Sequence, residues 1–299
     1  MYRGPIARWP LALLCVAVLV LSACGGAAPA APAASGTGAA AQGNWCTKHQ
    51  IKLVHPGELT VATYGTGEPD IVVLPNQQLG GLEGPMFAQF VQDCGLKMRL
   101  FETTFASMIL AVQNGEADVG TYIFYSDARS KVVYYTYPHW VADQANVFTQ
   151  KSFNYTGPNS LEGKKVGTVT GFVWAPFLQQ KFGANAALFP DTATGGTALL
   201  NGQIDGWVNG GTTIDIPPFK DQKDKVVGHP LDPGTWGMPA SAIFNNSFNI
   251  VNCNNKGLAN ALNENLKRMV DGGQWAKVMA DNKVPAAQSP KLESPQQGC

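Results

Sequence analysis

The stretch Thr104-Phe105-Ala106-Ser107-Met108-Ile109-Leu110-Ala111-Val112-Gln113-Asn114-Gly115-Glu116-Ala117-Asp118-Val119 decides the fold. Thr104 offers a hydroxyl to the open N–H groups of a helix start. Phe105, Met108, Ile109 and Val112 recur on one helical face, and Gly115 stands where a left-handed stop belongs. Residues 119–125 follow as a strand. Working back toward the N-terminus, residues 98–101 alternate as a strand, and Phe87, Phe90, Val91 and Cys94 mark a helix closed by Gly95. Residues 59–63 and 71–74 are short β-type runs set off by Pro56-Gly57, Pro69 and Pro75. Strands and helices in alternation predict an α/β lobe with a mainly parallel sheet.

The pattern restarts downstream. Residues 165–169, 187–189 and 204–208 read as strands, interleaved with helical segments over 172–182 and 197–201. After Trp236 a strand is expected over 241–244. Helices follow, carried first by Leu258, Leu262, Leu266, Met269 and Val270, then by Trp275, Val278 and Met279. Residues 284–299 are polar and proline-rich and read as a loosely packed tail. Two α/β lobes with a cleft between them is the expected architecture.

The N-terminus carries Arg3 and Arg8 and then a charge-free apolar run over 11–21, too short for a stable membrane span but suited to a signal peptide. The run ends in Leu21-Ser22-Ala23-Cys24, which resembles a bacterial lipobox with Cys24 as the lipidated residue. Residues 1–23 are thus expected to be a lipoprotein signal peptide. Residues 24–44, rich in Gly, Ala and Pro, are expected to form a flexible tether, because they cannot bury enough apolar surface to offset their ordering entropy. The whole chain is formally neutral, and loss of the leader removes two arginines and no acid, leaving −2. That balance argues against nucleic acid or a polybasic membrane contact.

With Cys24 lipidated, Cys46, Cys94, Cys253 and Cys299 remain, an even number suited to disulfides in an oxidising compartment. Of the three possible pairings we prefer Cys46–Cys94 and Cys253–Cys299, because each ties a chain end to a nearby element. No C-x-x-C or H-x-x-x-H spacing suggests a metal site, and the histidines at 49, 55, 139 and 229 are scattered.

Several motifs, in order, resemble the family 3 solute-binding proteins, the amino-acid-type receptors of bacterial import systems, over about residues 58–282. They are Gly80-Gly81-Leu82-Glu83-Gly84, then Thr104 to Ile109 ahead of Asn114-Gly115-Glu116-Ala117-Asp118, then Ser126-Asp127-Ala128-Arg129 with Tyr134-Tyr135-Thr136-Tyr137-Pro138. In the second half, Leu161-Glu162-Gly163-Lys164-Lys165-Val166-Gly167 and Asn201-Gly202-Gln203-Ile204-Asp205 match in the same way. The resemblance implies a type II periplasmic-binding-protein fold whose chain crosses between lobes near 147–150 and 239–244. Lobe 1 would be residues 45–148 plus 240–299, and lobe 2 residues 149–239. It further implies a lipid-anchored monomer on the extracytoplasmic face of the cell membrane that binds a small molecule, without cofactor or catalytic residues, and serves an ABC transporter permease.

The same resemblance assigns roles. Arg129 matches the arginine that holds a ligand carboxylate, for which the planar guanidinium is suited. Phe105 and Tyr64 match cleft aromatics, and Glu68 lies where it could meet a cation. Thr121, Tyr122 and Phe124 are expected to line the wall of lobe 1. In lobe 2, Thr170-Gly171-Phe172 occupies a strand-to-helix turn whose open N–H groups suit an anion, with Phe172 replacing the family's hydroxyl residue. The family's ammonium-binding carboxylate is also missing: Trp207-Val208-Asn209-Gly210-Gly211 offers only Asn209, which cannot offset a buried ammonium alone. A small polar or carboxylate-bearing ligand is therefore expected in preference to a standard amino acid, with aromatic, heterocyclic and cationic ligands all compatible with the rings. Two rival readings stand beside transport: a ligand sensor or signalling lipoprotein on the same fold, and an enzyme similar to cyclohexadienyl dehydratase, for which Glu68 is the obvious candidate acid.

Overall fold

The computed structural model describes residues 45–65, 67–141, 144–244, 246–292 and 298–299. The expected signal peptide, tether and Cys24 lie outside the described residues. The first half of the chain builds β1 (Glu58–Thr63), a hairpin of β2 (Ile71–Val73) and β3 (Leu79–Gly81), α1 (Glu83–Cys94), β4 (Lys97–Glu102), α2 (Phe105–Asn114) and β5 (Val119–Phe124). The short helix α3 (Asp127–Ser130) and the strands β6 (Tyr134–Tyr135) and β7 (Trp140–Val141) complete it. The helix boundaries follow the local signals. Thr104 accepts from the Ser107 N–H ahead of α2, and Gly95 and Gly115 end α1 and α2 in the left-handed conformation.

The second half contributes β8 (Ala145–Gln150), β9 (Val166–Val169), α4 (Ala175–Phe182), β10 (Ala186–Phe189), α5 (Thr192–Leu200), β11 (Gly206–Gly210) and β12 (Val226–Pro230). The chain then returns through α6 (Ala240–Ile243), β13 (Asn246–Val251), α7 (Lys256–Asp271) and α8 (Gln274–Asp281). Lobe 1 is a sheet of order β4-β1-β5-β13-β6, with β7 also paired to β13, and lobe 2 a sheet of order β10-β9-β11-β8-β12. Within each, three strands are parallel: β4, β1 and β5 in the first, β10, β9 and β11 in the second. The expected α/β, two-lobe type II architecture is what forms.

Several boundaries differ from the expectation. The chain enters the second sheet at Ala145, not after residue 148, because β8 pairs antiparallel with both β11 and β12. It leaves later than residue 239, since Ala242 and Ile243 pack in the lobe 2 core beside Trp174 and Leu178. The strand expected over 241–244 is the helix α6, pinned by the Trp174 Nε1–H donating to the Ala242 carbonyl at 2.7 Å. The true strand, β13, lies between β5 and β6 with Ser247 and Asn249 buried. A central strand covered on both faces need not alternate, which hides it from a period-2 reading.

Helix α4 starts three residues later than expected. Helix α5 starts five earlier, because the Asp191 carboxylate accepts from the Thr194 N–H and caps it. The tail is not loosely packed throughout: Val284 and Pro290 are buried and Leu292 packs on the lobe 1 core. The preferred disulfides both form. Cys46–Cys94 ties the first described turn to the end of α1, and Cys253–Cys299 ties the C-terminus to the residues after β13. The backbone N–H of Cys299 also donates to the carbonyl of Ser130, at the end of α3.

Candidate functional site

Parallel sheets place ligands beyond the carboxyl ends of their strands, where chain direction leaves loops and helix starts facing a crevice. Here six such ends converge. Tyr64, Gly67 and Glu68 follow β1, Phe105 follows β4, and Tyr122, Phe124 and Arg129 end or follow β5. From lobe 2, Phe172, Val173 and Trp174 follow β9, Thr192 follows β10, and Asn209, Thr212 and Thr213 end or follow β11. Together with Ile216 they line an interlobe cavity of about 40 Å³.

Aromatic rings dominate the wall. Tyr64 lies edge-on to Phe105 at 4.9 Å and to Phe172 at 6.1 Å between centroids, and nearly parallel to Tyr122 at 6.1 Å. Phe105 and Phe172, from opposite lobes, meet at 4.7 Å, so apolar contact is continuous across the cleft. Phe124 and Trp174 make a second cross-lobe pair at 6.0 Å. Burial holds the Tyr64 phenol well above its ordinary pKa, reinforced by the nearby Tyr122, Asp70 and Glu83, and opposed by Arg129. The ring is therefore neutral at physiological pH.

Arg129 is buried beside these rings. Its Nη1 donates to the Phe124 carbonyl at 2.5 Å and its Nη2 to the Gly171 carbonyl of lobe 2 at 2.7 Å. Its guanidinium sits 5.1 Å from the Phe105 ring centroid, a cation–π distance. Burial lowers its pKa, with the Tyr135 hydroxyl opposing that shift, and an arginine so placed stays charged. Two of its five N–H donors are thus committed to carbonyls, one in each lobe, and the group still faces the cavity.

Most of the expected site residues meet here: Tyr64, Glu68, Phe105, Tyr122, Phe124, Arg129, Phe172 and Asn209 all line the cavity. Thr121 does not. It is fully buried under the sheet, with Oγ1 donating to the Ala62 carbonyl at 3.1 Å, because successive β5 side chains point to opposite faces. Thr170 and Gly171 line an adjoining outer groove, and the Gly171 carbonyl, not its N–H, is what engages Arg129. Sequence reading missed Gly67, Val173, Trp174, Thr192, Thr212, Thr213 and Ile216. The carboxyl-end rule, applied to residues 189 and 210 as strand ends, would have pointed to Thr192 and to Gly211-Thr212-Thr213.

It also missed what stands behind Tyr122. His139 Nε2 lies 2.9 Å from Asp70 Oδ1 and 3.4 Å from Glu83 Oε1, and Ser247 Oγ bonds both Asp70 and His139, all four side chains being fully buried. Glu83 Oε1 accepts the Tyr122 N–H at 3.0 Å, holding a non-glycine residue at φ 46°, a conformation that L side chains rarely adopt. Tyr122 then packs directly over Gly67, where a Cβ would fall 2.6 Å from its ring. Burial, and then the Asp70 charge, push the Glu83 carboxyl well above the ordinary range, against the Tyr122 N–H. Asp70, Glu83 and His139 are the described residues grouped closely enough to meet at one cation. They are spread over 70 residues of sequence, so no spacing rule reveals them.

Two lobes, each built on three parallel strands with antiparallel strands added, joined by two crossings and meeting at a ring-lined cavity with a buried arginine, define a cleft-type small-molecule receptor fold. The chain belongs to the bacterial extracellular solute-binding proteins, family 3, whose model matches residues 59–281. Solved structures agree on the fold. One is the substrate-binding protein of an amino acid ABC transporter, with a TM-score of 0.67 at 16% identity, covering 75% of this chain and 98% of that one. Another is the arginine-, lysine-, histidine-binding protein ArtJ from Geobacillus stearothermophilus, with a TM-score of 0.66 at 18% identity, covering 79% and 97%. A third is an amino acid ABC transporter substrate-binding protein from Streptococcus pneumoniae bound to L-arginine, with a TM-score of 0.64 at 20% identity, covering 76% and 94%. No curated protein matches the chain. No helix among the described residues is long and apolar enough to cross a membrane.

Proposed function

We propose that the protein is an extracytoplasmic receptor, lipid-anchored through Cys24, that captures a small polar solute with an anionic end and delivers it to the permease of an ABC importer. The observation that carries this reading is the buried Arg129, charged, facing the interlobe cavity and bonded to a carbonyl in each lobe. A carboxylate arriving there meets a pre-oriented guanidinium in a ring-lined, low-dielectric site, where charge-assisted bonds are strongest. Ligand contacts to both lobes favour the closed arrangement in proportion to the differential affinity they provide. Solute-specific uptake then depends on a partner that distinguishes closed from open.

The experiment is solute uptake in the native host with the chain deleted and restored, beside metabolic palmitate labelling. Restored uptake of one solute class, with label lost in Cys24→Ser, supports the reading. Unchanged uptake across amino acids, amines and small carboxylates, with binding intact in vitro, contradicts import.

A further inference from the structure

The cavity that Arg129 faces is poor in acceptors for a second, positive end of the ligand. The Tyr122 carbonyl takes the Tyr64 hydroxyl at 3.4 Å, and the Phe124 carbonyl takes Arg129 and the Tyr135 hydroxyl. The Gly171 carbonyl takes Arg129, and Asn209 Oδ1 takes the Gly210 N–H at 2.8 Å. Asn209 Nδ2 in turn donates to Thr192 Oγ1 at 3.1 Å. The side chains of Thr192, Thr212 and Thr213 bring neutral hydroxyl groups to the lobe 2 wall, and the carboxylate among the described lining residues, Glu68, is exposed at the rim. A primary ammonium brings three N–H donors, each costly to bury unpaired.

Aromatic faces are plentiful by contrast. Tyr64, Phe105, Tyr122, Phe124, Phe172 and Trp174 all line this small cavity, with Tyr64 and Tyr122 parallel and Phe105 and Phe172 set across Tyr64. Ring faces attract a cation without needing an N–H from it, which is how quaternary ammonium groups are recognised. We infer that the ligand is a compact zwitterion whose carboxylate meets Arg129 and whose positive end is a fully alkylated ammonium held by the aromatic box. This deepens the receptor reading above and rests on it.

The test is calorimetric titration of the purified full chain with glycine and its N-methyl, N,N-dimethyl and N,N,N-trimethyl derivatives. The carboxylate and net charge are constant along this series while the N–H donors fall from three to none. Affinity should rise along the series by about tenfold or more, the worth of a desolvated cation–π contact. 3,3-Dimethylbutanoate, the same shape with carbon in place of nitrogen, should bind about tenfold more weakly than the trimethyl compound. Tyr64→Leu, checked for folding by circular dichroism, should erase the methylation gain, and Tyr64→Phe should restore it. Affinity that falls with methylation, or a gain lost in Glu68→Gln and kept in Tyr64→Leu, overturns the inference and leaves the receptor reading standing. No binding by this series overturns the inference, and no binding by any amino acid, betaine or small carboxylate overturns the receptor reading as well.

Discussion

The Arg129 guanidinium of lobe 1 donates from Nη2 to the Gly171 carbonyl of lobe 2 at 2.7 Å, while Nη1 holds the Phe124 carbonyl of its own lobe. One side chain therefore both faces the cavity and bridges the lobes. The bridge uses the carbonyl of the same strand-to-helix turn whose N–H groups suit an anion, so the contact between the lobes and the proposed ligand site share Arg129.

Arg129→Ala should accordingly have two effects. A carboxylate-bearing ligand loses about 1.5–3 kcal/mol of charge-assisted hydrogen bonding, roughly tenfold to a hundredfold in Kd. The ligand-free protein also loses a cross-lobe bond, so small-angle scattering should report a larger radius of gyration than for wild type. An unchanged radius would show that the aromatic pairs alone hold the lobes together.

The Glu83 carboxyl makes stability pH-dependent in an unusual direction. Its folded pKa lies well above the ordinary 4.5, so as pH rises from that value the unfolded chain releases this proton while the folded chain retains it. The folded state binds more protons, and this group's contribution to stability falls with rising pH until its folded pKa is passed. Glu83→Gln keeps an oxygen for the Tyr122 N–H and should flatten that limb in urea titrations between pH 5 and 8. The same slope in wild type and Glu83→Gln would assign it to another group.

The disulfides span 48 and 46 residues of sequence. Loop-closure entropy for such lengths gives about 4 kcal/mol each in the chain-entropy account. The double replacement Cys253→Ala with Cys299→Ala should lower Tm. It should also release the C-terminus from Ser130, next to Arg129, so ligand affinity should fall with stability. A loss of stability with affinity unchanged would show that the tail does not brace α3.

Gly84, in the first turn of α1, lets the Leu79 carbonyl approach to where a Cβ would sit 2.1 Å away. Gly84→Ala should cost about 1–3 kcal/mol in denaturant unfolding, since the obstacle is backbone and cannot rotate aside. A cost near zero would mean that β3 moves freely against α1.

Local chemistry made much of this readable in advance. Thr104 and Gly115 bracket α2 because capping is decided within a few residues, and Phe105 stays at the head of that helix in the cavity. Where burial replaces alternation, as at Ser247 and Asn249 in β13, periodicity carries no signal. The Asp70–Glu83–His139–Ser247 group forms only through tertiary packing of a hairpin, a helix start, a loop and a returning strand. Thr121 went astray for a simpler reason: Tyr122 and Phe124, two residues apart on β5, face the cavity, and Thr121, one position before Tyr122, points to the opposite face of the strand.

The proposed receptor binds its solute through an anionic end at Arg129. The most direct test is the melting temperature of wild type and Arg129→Ala against a panel of amino acids, betaines, polyamines, nucleobases and small carboxylates, because a native-state binder raises Tm in proportion to the logarithm of its concentration over Kd. A clear rise is expected with at least one carboxylate-bearing compound, and that rise should be lost in Arg129→Ala. A rise that survives the substitution, or one produced only by compounds without an anion, would contradict it.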